Sequence, residues 1–166
     1  MSDPKLKARV SEYVNLRYGF VNLKRYLGGG TDGCVWETRE GTAVKALARE
    51  SGYYNERDTY LRLQEWGLTE KIDGFNVPKM VGYSDERWIV EMDMVQNPPY
   101  ILDFAKVRLD RPPDFSEDVL EDAERRGVEQ FEHNWPKVKS LLATLESYQI
   151  YYLDARPGNI TFADTP

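Results

Sequence analysis

The stretch Asp154-Ala155-Arg156-Pro157-Gly158-Asn159 sets a carboxylate, a guanidinium and a carboxamide in a short loop of turn-forming residues. An aspartate can take the proton of a reacting hydroxyl. An asparagine carbonyl is a hard oxygen ligand suited to Mg²⁺, and an arginine holds phosphate oxygens in its planar fork. Two further groups upstream could act on the same ligand. Leu27-Gly28-Gly29-Gly30-Thr31-Asp32-Gly33-Cys34-Val35 is a glycine cluster whose backbone N–H groups can approach phosphate oxygens with no Cβ in the way. Thr42-Ala43-Val44-Lys45 ends a strand-like run on a lysine that can place a point charge against phosphate.

Other chemistries have no residues to carry them. No cysteine–histidine cluster is present for zinc, and no G-x-S-x-G element suggests a hydrolase. His133, the single histidine, sits among Glu129, Glu132 and Asn134 and reads as part of a solvated helix face, as does the acidic stretch from Glu117 to Glu124. Cys34, the single cysteine, reads as a strand residue beside the last loop glycine, open to thiol reagents. The glycine letters also fit a dinucleotide fold. That reading needs a helix to start inside the glycines, whereas Cys34-Val35-Trp36-Glu37-Thr38 reads as a strand.

Taken in order, these segments resemble the protein kinase-like superfamily from about Phe20 to Ile160. Gly28, Gly30, Gly33 and Val35 match G-x-G-x-x-G-x-V, Ala43-Val44-Lys45 matches V-A-I-K, and Tyr152 to Ile160 matches H-R-D-L-K-P-x-N-I. The resemblance implies ATP and Mg²⁺ as ligands. It implies that Lys45 contacts the α- and β-phosphates and is held by a carboxylate of the next helix, with Glu56 chosen and Glu50 and Asp58 as alternatives. Leu27, Val35 and Ala43 would roof the adenine. Trp88 to Val95 would be the strand and hinge, with Met92 behind the base and the backbone of Asp93 and Met94 along its edge. Asp154 is implied to orient the acceptor hydroxyl, Arg156 to contact the transferred phosphate, and Asn159 to hold Mg²⁺.

The sequence departs from that pattern at Tyr152, where the family has a histidine that braces the loop, and at Leu153, where many members carry an arginine that pairs with a phosphorylated activation segment. The family's second metal ligand, the aspartate of D-F-G, lies on a hairpin beyond the asparagine. Here Pro166 follows Asn159 closely, and Phe162-Ala163-Asp164 offers an aspartate too soon for that hairpin. The reading is therefore of a naturally short, reduced chain without the D-F-G and activation-segment region. In it Mg²⁺ is held mainly by Asn159 and the phosphates, unless Asp164 bends back or another chain contributes.

The positioning elements follow from periodicity and punctuation. A helix is predicted from Pro4 to Tyr18, stopped by Gly19. Strands are predicted over Phe20–Leu27, Cys34–Thr38, Thr42–Leu47, Pro78–Tyr83 and Trp88–Val95, with a helix over Tyr53–Trp66. Asn97-Pro98-Pro99 marks the end of the strand-rich part. A helix capped by Ser116 and another beginning near Asn134 or Pro136 follow, with a loop around Pro112-Pro113. The expected fold class is α+β, kinase-like: an N-terminal helix (1–19), a lobe with a five-stranded antiparallel sheet and one main helix (20–95), and a minimal helical lobe with the catalytic loop (96–166).

At 166 residues, with 13% aromatic and 30% charged residues, the chain suits one globular core. A net charge of −6 disfavours non-specific nucleic-acid binding. No apolar run is long enough for a membrane span, and a lone cysteine suits a reducing cytosol, so a cytoplasmic location is expected. The functional expectation is transfer of the γ-phosphate of ATP to a protein Ser/Thr hydroxyl. The alternative is a pseudokinase that regulates a protein partner through a nucleotide-binding or kinase-like surface. A small-molecule kinase of the antibiotic or choline type is disfavoured by the short helical part.

Overall fold

The computed structural model describes residues 2–163. Helix α1 (Pro4–Tyr18) opens on Asp3, whose carboxylate accepts the N–H groups of Lys5 and Leu6, and closes on Gly19 at φ 84°. Strands β1 (Leu23–Gly29), β2 (Gly33–Thr38) and β3 (Thr42–Leu47) follow, then helix α2 (Glu50–Glu65). After two short strands, β4 (Lys71–Ile72) and β5 (Phe75–Asn76), come β6 (Met80–Ser84) and β7 (Ile89–Asp93). The remainder holds β8 (Tyr100–Ile101), β9 (Val107–Leu109), helix α3 (Glu117–Phe131), a 3₁₀ turn (Glu132–Asn134), helix α4 (Trp135–Ser147), β10 (Ile150–Tyr152) and β11 (Ile160–Thr161). No helix among the described residues is long and apolar enough to cross a membrane.

The fold is α+β, with a five-stranded antiparallel sheet in the order β1-β2-β3-β7-β6. The five expected strands and the helix between them are all present. Burial explains why β2, β3 and β7 read as almost continuous buried runs rather than alternating ones: both faces of the sheet are covered. On one face Leu6, Val10, Tyr13 and Val14 of α1 pack on Cys34, Trp36, Val44, Ala46 and Ile89. On the other face Ala43, Leu47, Val90 and Met92 meet Tyr53, Tyr60 and Leu63 of α2, in a core that continues into Leu141 and Leu145 of α4. Helix α1 is further bound to β7 through Glu91. This carboxylate is wholly buried and accepts from Tyr13 Oη (2.9 Å) and Thr42 Oγ1 (2.7 Å), and it pairs with Arg17 (2.7 Å).

Four short strands lie in the stretch that the sequence reads as loop and helix, because runs of two or three residues carry no periodicity to detect. They are β8, β9, β10 and β11. Strand β10 pairs with β9, and β11 pairs with β8 in a sheet completed by β5 and β4. Ser116 caps α3 as expected, its Oγ accepting from the Val119 N–H. Gly127 of α3 is buried under Trp135, and a Cβ added there would lie 2.3 Å from the indole ring. In an open helix interior Gly→Ala is favourable by about 1 kcal/mol. Here Gly127→Ala is expected to lower the melting temperature instead. In a double-mutant cycle read by thermal unfolding, Trp135→Phe, which removes the colliding ring atoms, should reverse the sign of the Gly127→Ala effect.

Candidate active site

A cavity of about 390 Å³ lies between the five-stranded sheet and the segments that follow it. Leu27, Gly28, Gly30 and Gly33 border it on the β1–β2 side, and Val35 and Ala43 line it from β2 and β3. Met92, Asp93 and Met94 line it where β7 ends, and Arg156 and Asn159 come from the loop after β10. Every residue that the sequence reading assigned to nucleotide binding therefore borders one cavity. The glycine loop is a strand–turn–strand element, with Gly30 N–H donating to the Gly33 carbonyl and the Asp32 carbonyl accepting from Ala48. Gly33 is required by space as well as by conformation: at φ 156° a Cβ would lie 2.2 Å from the Ala46 carbonyl oxygen.

At the back of the cavity Lys45, 5% exposed, projects from β3 to Glu56 of α2 at 2.7 Å and to Asp103 at 3.0 Å. Glu56 is thus the partner among the three carboxylates considered; it is 1% exposed and packs on the turn of α2 that faces the sheet. Burial alone would lower the Lys45 pKa, but the two facing carboxylates more than offset it, and the ammonium is held above its ordinary value. Burial likewise opposes ionisation of Asp103, and there Lys45, the Ala105 N–H and Arg156 prevail, holding the carboxyl below its ordinary range. Burial raises the Glu56 carboxyl, with Lys45 opposing.

Asp103 is the residue that the sequence reading did not find. It lies between β8 and β9 in a left-handed conformation (φ 64°), which aspartate tolerates better than most residues. Two strand pairings bring it to the loop after β10. Strand β9 pairs with β10, which leads into Asp154, and β8 pairs with β11, which leaves Asn159. The Leu102 N–H donates to the Asn159 carbonyl (2.8 Å), and the Leu153 N–H to the Lys106 carbonyl (3.0 Å). Carboxylate oxygens of Asp32, Asp103 and Asp154 consequently come within 4.8 Å of one another. Asp154 accepts from Asn159 Nδ2 at 2.9 Å and lies 3.5 Å from Arg156 Nε. The Asn159 amide nitrogen is thereby committed to Asp154, which leaves its carbonyl oxygen as the end available to a cation.

The same segment carries an aromatic column. Phe104 meets Tyr60 of α2 edge-on at 5.2 Å and Tyr152 at 5.8 Å, and the Tyr152 hydroxyl donates to the Leu102 carbonyl at 2.6 Å. Tyr152 braces the loop from the position where the family has histidine. The sequence did contain the signal: Asp103-Phe104-Ala105 is close to D-F-G. It precedes Asp154, whereas the family pattern places D-F-G after the asparagine. Beside Asn159 the cleft carries a second carboxylate, Asp103, which the expectation of a cation held mainly by Asn159 did not include. Two smaller corrections concern Cys34 and the C-terminal aspartate. Cys34 is buried under α1, not open to reagents. Asp164 lies outside the described residues.

A lysine–glutamate pair behind a glycine loop, with an aspartate and an asparagine facing it across the cleft, completes the arrangement. This is the arrangement that the resemblance to the protein kinase-like superfamily implies. No family model matches it, and no curated protein matches it. Among solved structures it is similar to the streptomycin–ATP–APH(2″)-IIa ternary complex, at 17% identity and TM-score 0.44, covering 95% of this chain and 43% of that one. It is similar to the gentamicin–APH(2″)-IIa complex at 18% identity and TM-score 0.47, covering 91% and 41%. It is also similar to ADP-bound aminoglycoside phosphotransferase APH(2″)-Ib at 16% identity and TM-score 0.43, covering 91% and 42%. The chain spans about two fifths of the length of these structures.

Lys45→Met leaves two carboxylates without their cation, one of them fully buried. It is expected to destabilise the fold by about 3–5 kcal/mol in urea unfolding. Lys45→Met combined with Glu56→Met, which removes the stranded buried charge, should recover much of that loss.

Proposed function

We propose that this chain binds ATP with a divalent cation and transfers the γ-phosphate to a hydroxyl acceptor. The observation that carries this reading is the buried Lys45, fixed by Glu56 and Asp103 beneath the glycine loop and opposite Asp154. The adenine would lie between Val35, Ala43 and Met92. The Asp93 amide is engaged with the Lys79 carbonyl, so the base edge is read by the Asp93 carbonyl and the Met94 amide. Lys45 would hold the α- and β-phosphates, and the glycine loop N–H groups would cover them.

The donor set fits Mg²⁺: Asp103 and Asn159 offer oxygen atoms at one end of the cleft, and such hard ligands suit a small hard cation. When bound, the cation would neutralise charge on the phosphates. Asp154, held by Asn159, would accept the acceptor hydroxyl's proton. As the acceptor oxygen bonds to the γ-phosphorus, the bond from that phosphorus to the β–γ bridging oxygen breaks, and ADP leaves with the electron pair. Arg156 would meet charge on the transferred group. The finer reading, a protein Ser/Thr hydroxyl as acceptor, rests on Arg156-Pro157 in the loop. The pseudokinase alternative rests on the missing D-F-G metal ligand and the missing substrate platform; Asp103 beside Lys45 favours the phosphotransferase reading on the first ground.

Thermal unfolding with ATP is the first test. A ligand that binds only the native state at 100 times its Kd stabilises by about 2.7 kcal/mol. ATP with Mg²⁺ should raise the melting temperature of the native chain, and the metal-dependent part of that rise should vanish in Asp103→Asn. Absence of any ATP-dependent rise in the native chain would sink the reading. Phosphate transfer from radiolabelled ATP should appear on a Ser/Thr peptide panel and be lost in Asp154→Asn. Transfer only to small polyols or aminoglycosides would place the acceptor in the small-molecule class.

A further inference from the structure

Lys106 lies outside every motif that the sequence reading used, yet its side chain links the glycine loop to Asp154. Its backbone is fixed on the catalytic-loop side: its carbonyl accepts from Leu153, and its neighbour Val107 pairs with Tyr152. Its ammonium reaches the glycine loop, 3.2 Å from Asp32 Oδ2, while remaining 3.9 Å from Asp154 Oδ2. The other cations of the site are committed differently. Lys45 is sealed between Glu56 and Asp103, and Arg156 lies beside Asp154. Lys106 is 45% exposed in its side chain, and an ion pair this open to water is weak and exchangeable.

Asp32 poses an electrostatic problem for any polyphosphate. Its carboxylate sits in the loop that would cover the phosphates, and it faces Asp103 and Asp154 across the cleft. Lys106 neutralises it in the free protein. A terminal phosphate entering between the glycine loop and Asp154 carries more negative charge than one carboxylate, and it would draw the ammonium to itself. A diphosphate has no group at that position and would leave the Lys106–Asp32 pair intact.

Building on the nucleotide-binding reading above, we propose that Lys106 reads the terminal phosphate of a nucleoside triphosphate, and that Asp32 holds its ammonium in place until that phosphate arrives. Lys106 thus sets the preference for triphosphate over diphosphate. The experiment is calorimetric titration of ATP and ADP, each with Mg²⁺, into the native chain, Lys106→Gln, Lys106→Arg and Asp32→Asn. Lys106→Gln is expected to weaken ATP about tenfold, the size of one lost charge-assisted contact, with ADP unchanged. Lys106→Arg should restore most of the loss. Asp32→Asn should keep or widen the ATP-over-ADP preference, because the lysine remains and is freed. Without nucleotide, amide exchange of residues 30–33 should accelerate several-fold in both Lys106→Gln and Asp32→Asn. Equal weakening of ATP and ADP, or no weakening of ATP, in Lys106→Gln would overturn the role of Lys106 alone. A native chain that binds neither nucleotide would overturn the reading of the cleft and this inference together.

Discussion

A lysine ammonium sealed from water is costly unless carboxylates face it, and Lys45 is faced by two, from elements far apart in the chain. Glu56 comes from α2 and Asp103 from the segment between β8 and β9. These two contacts tie α2 and the β8–β9 segment to the lysine at the back of the cavity. Much of the rest is arranged around it. Tyr60, one turn beyond Glu56, meets Phe104, next to Asp103, edge-on, and Phe104 meets, again edge-on, Tyr152, which leads into the Asp154–Asn159 loop. The charged contact and the aromatic column share α2 and the β8–β9 segment, the first ending on β3 and the second on β10. Asn55 of α2 adds a hydrogen bond to the Ala105 carbonyl.

The N-terminal helix gives the opposite face of the sheet a similar fixity. With α1 on one side and α2 on the other, β3 can present Lys45 to the cavity while Val44 and Ala46 point into the other core. Glu91 illustrates how a buried carboxylate is tolerated: Tyr13, Thr42 and Arg17 all satisfy it, and two of the three are on α1. Its neighbour Met92 borders the cavity, so the helix that looks most peripheral in the sequence steadies the strand that ends at the hinge.

The elements legible in the sequence were those with a period or a cap. Leu6, Val10 and Val14 recur at helical spacing between Asp3 and Gly19, and that helix appears with the predicted bounds. The glycine loop, Lys45 and the Asp154–Asn159 loop were legible because their chemistry depends on local spacing, and all of them meet at the cavity except Asp154, which stands beside it through Asn159. Glu56 could be chosen over Glu50 and Asp58 because apolar positions follow it in the helix. The strands of two and three residues around the cleft were illegible, since nothing in so short a run distinguishes a strand from a loop.

The sequence by itself determined which residue types were available for phosphate chemistry and the strand–glycine–strand setting of the loop, because both are fixed by local spacing. It could not determine which carboxylate would complete the site. Asp103 belongs to the cleft only because β8 pairs with β11 and β9 with β10, and strand pairing is a long-range event with no local trace in two or three residues. A motif read along the chain assumes an order of segments, whereas an ion pair depends only on distance. The tertiary fold satisfied Lys45 with an aspartate taken from ahead of the Asp154–Asn159 loop, and only the fold could show it.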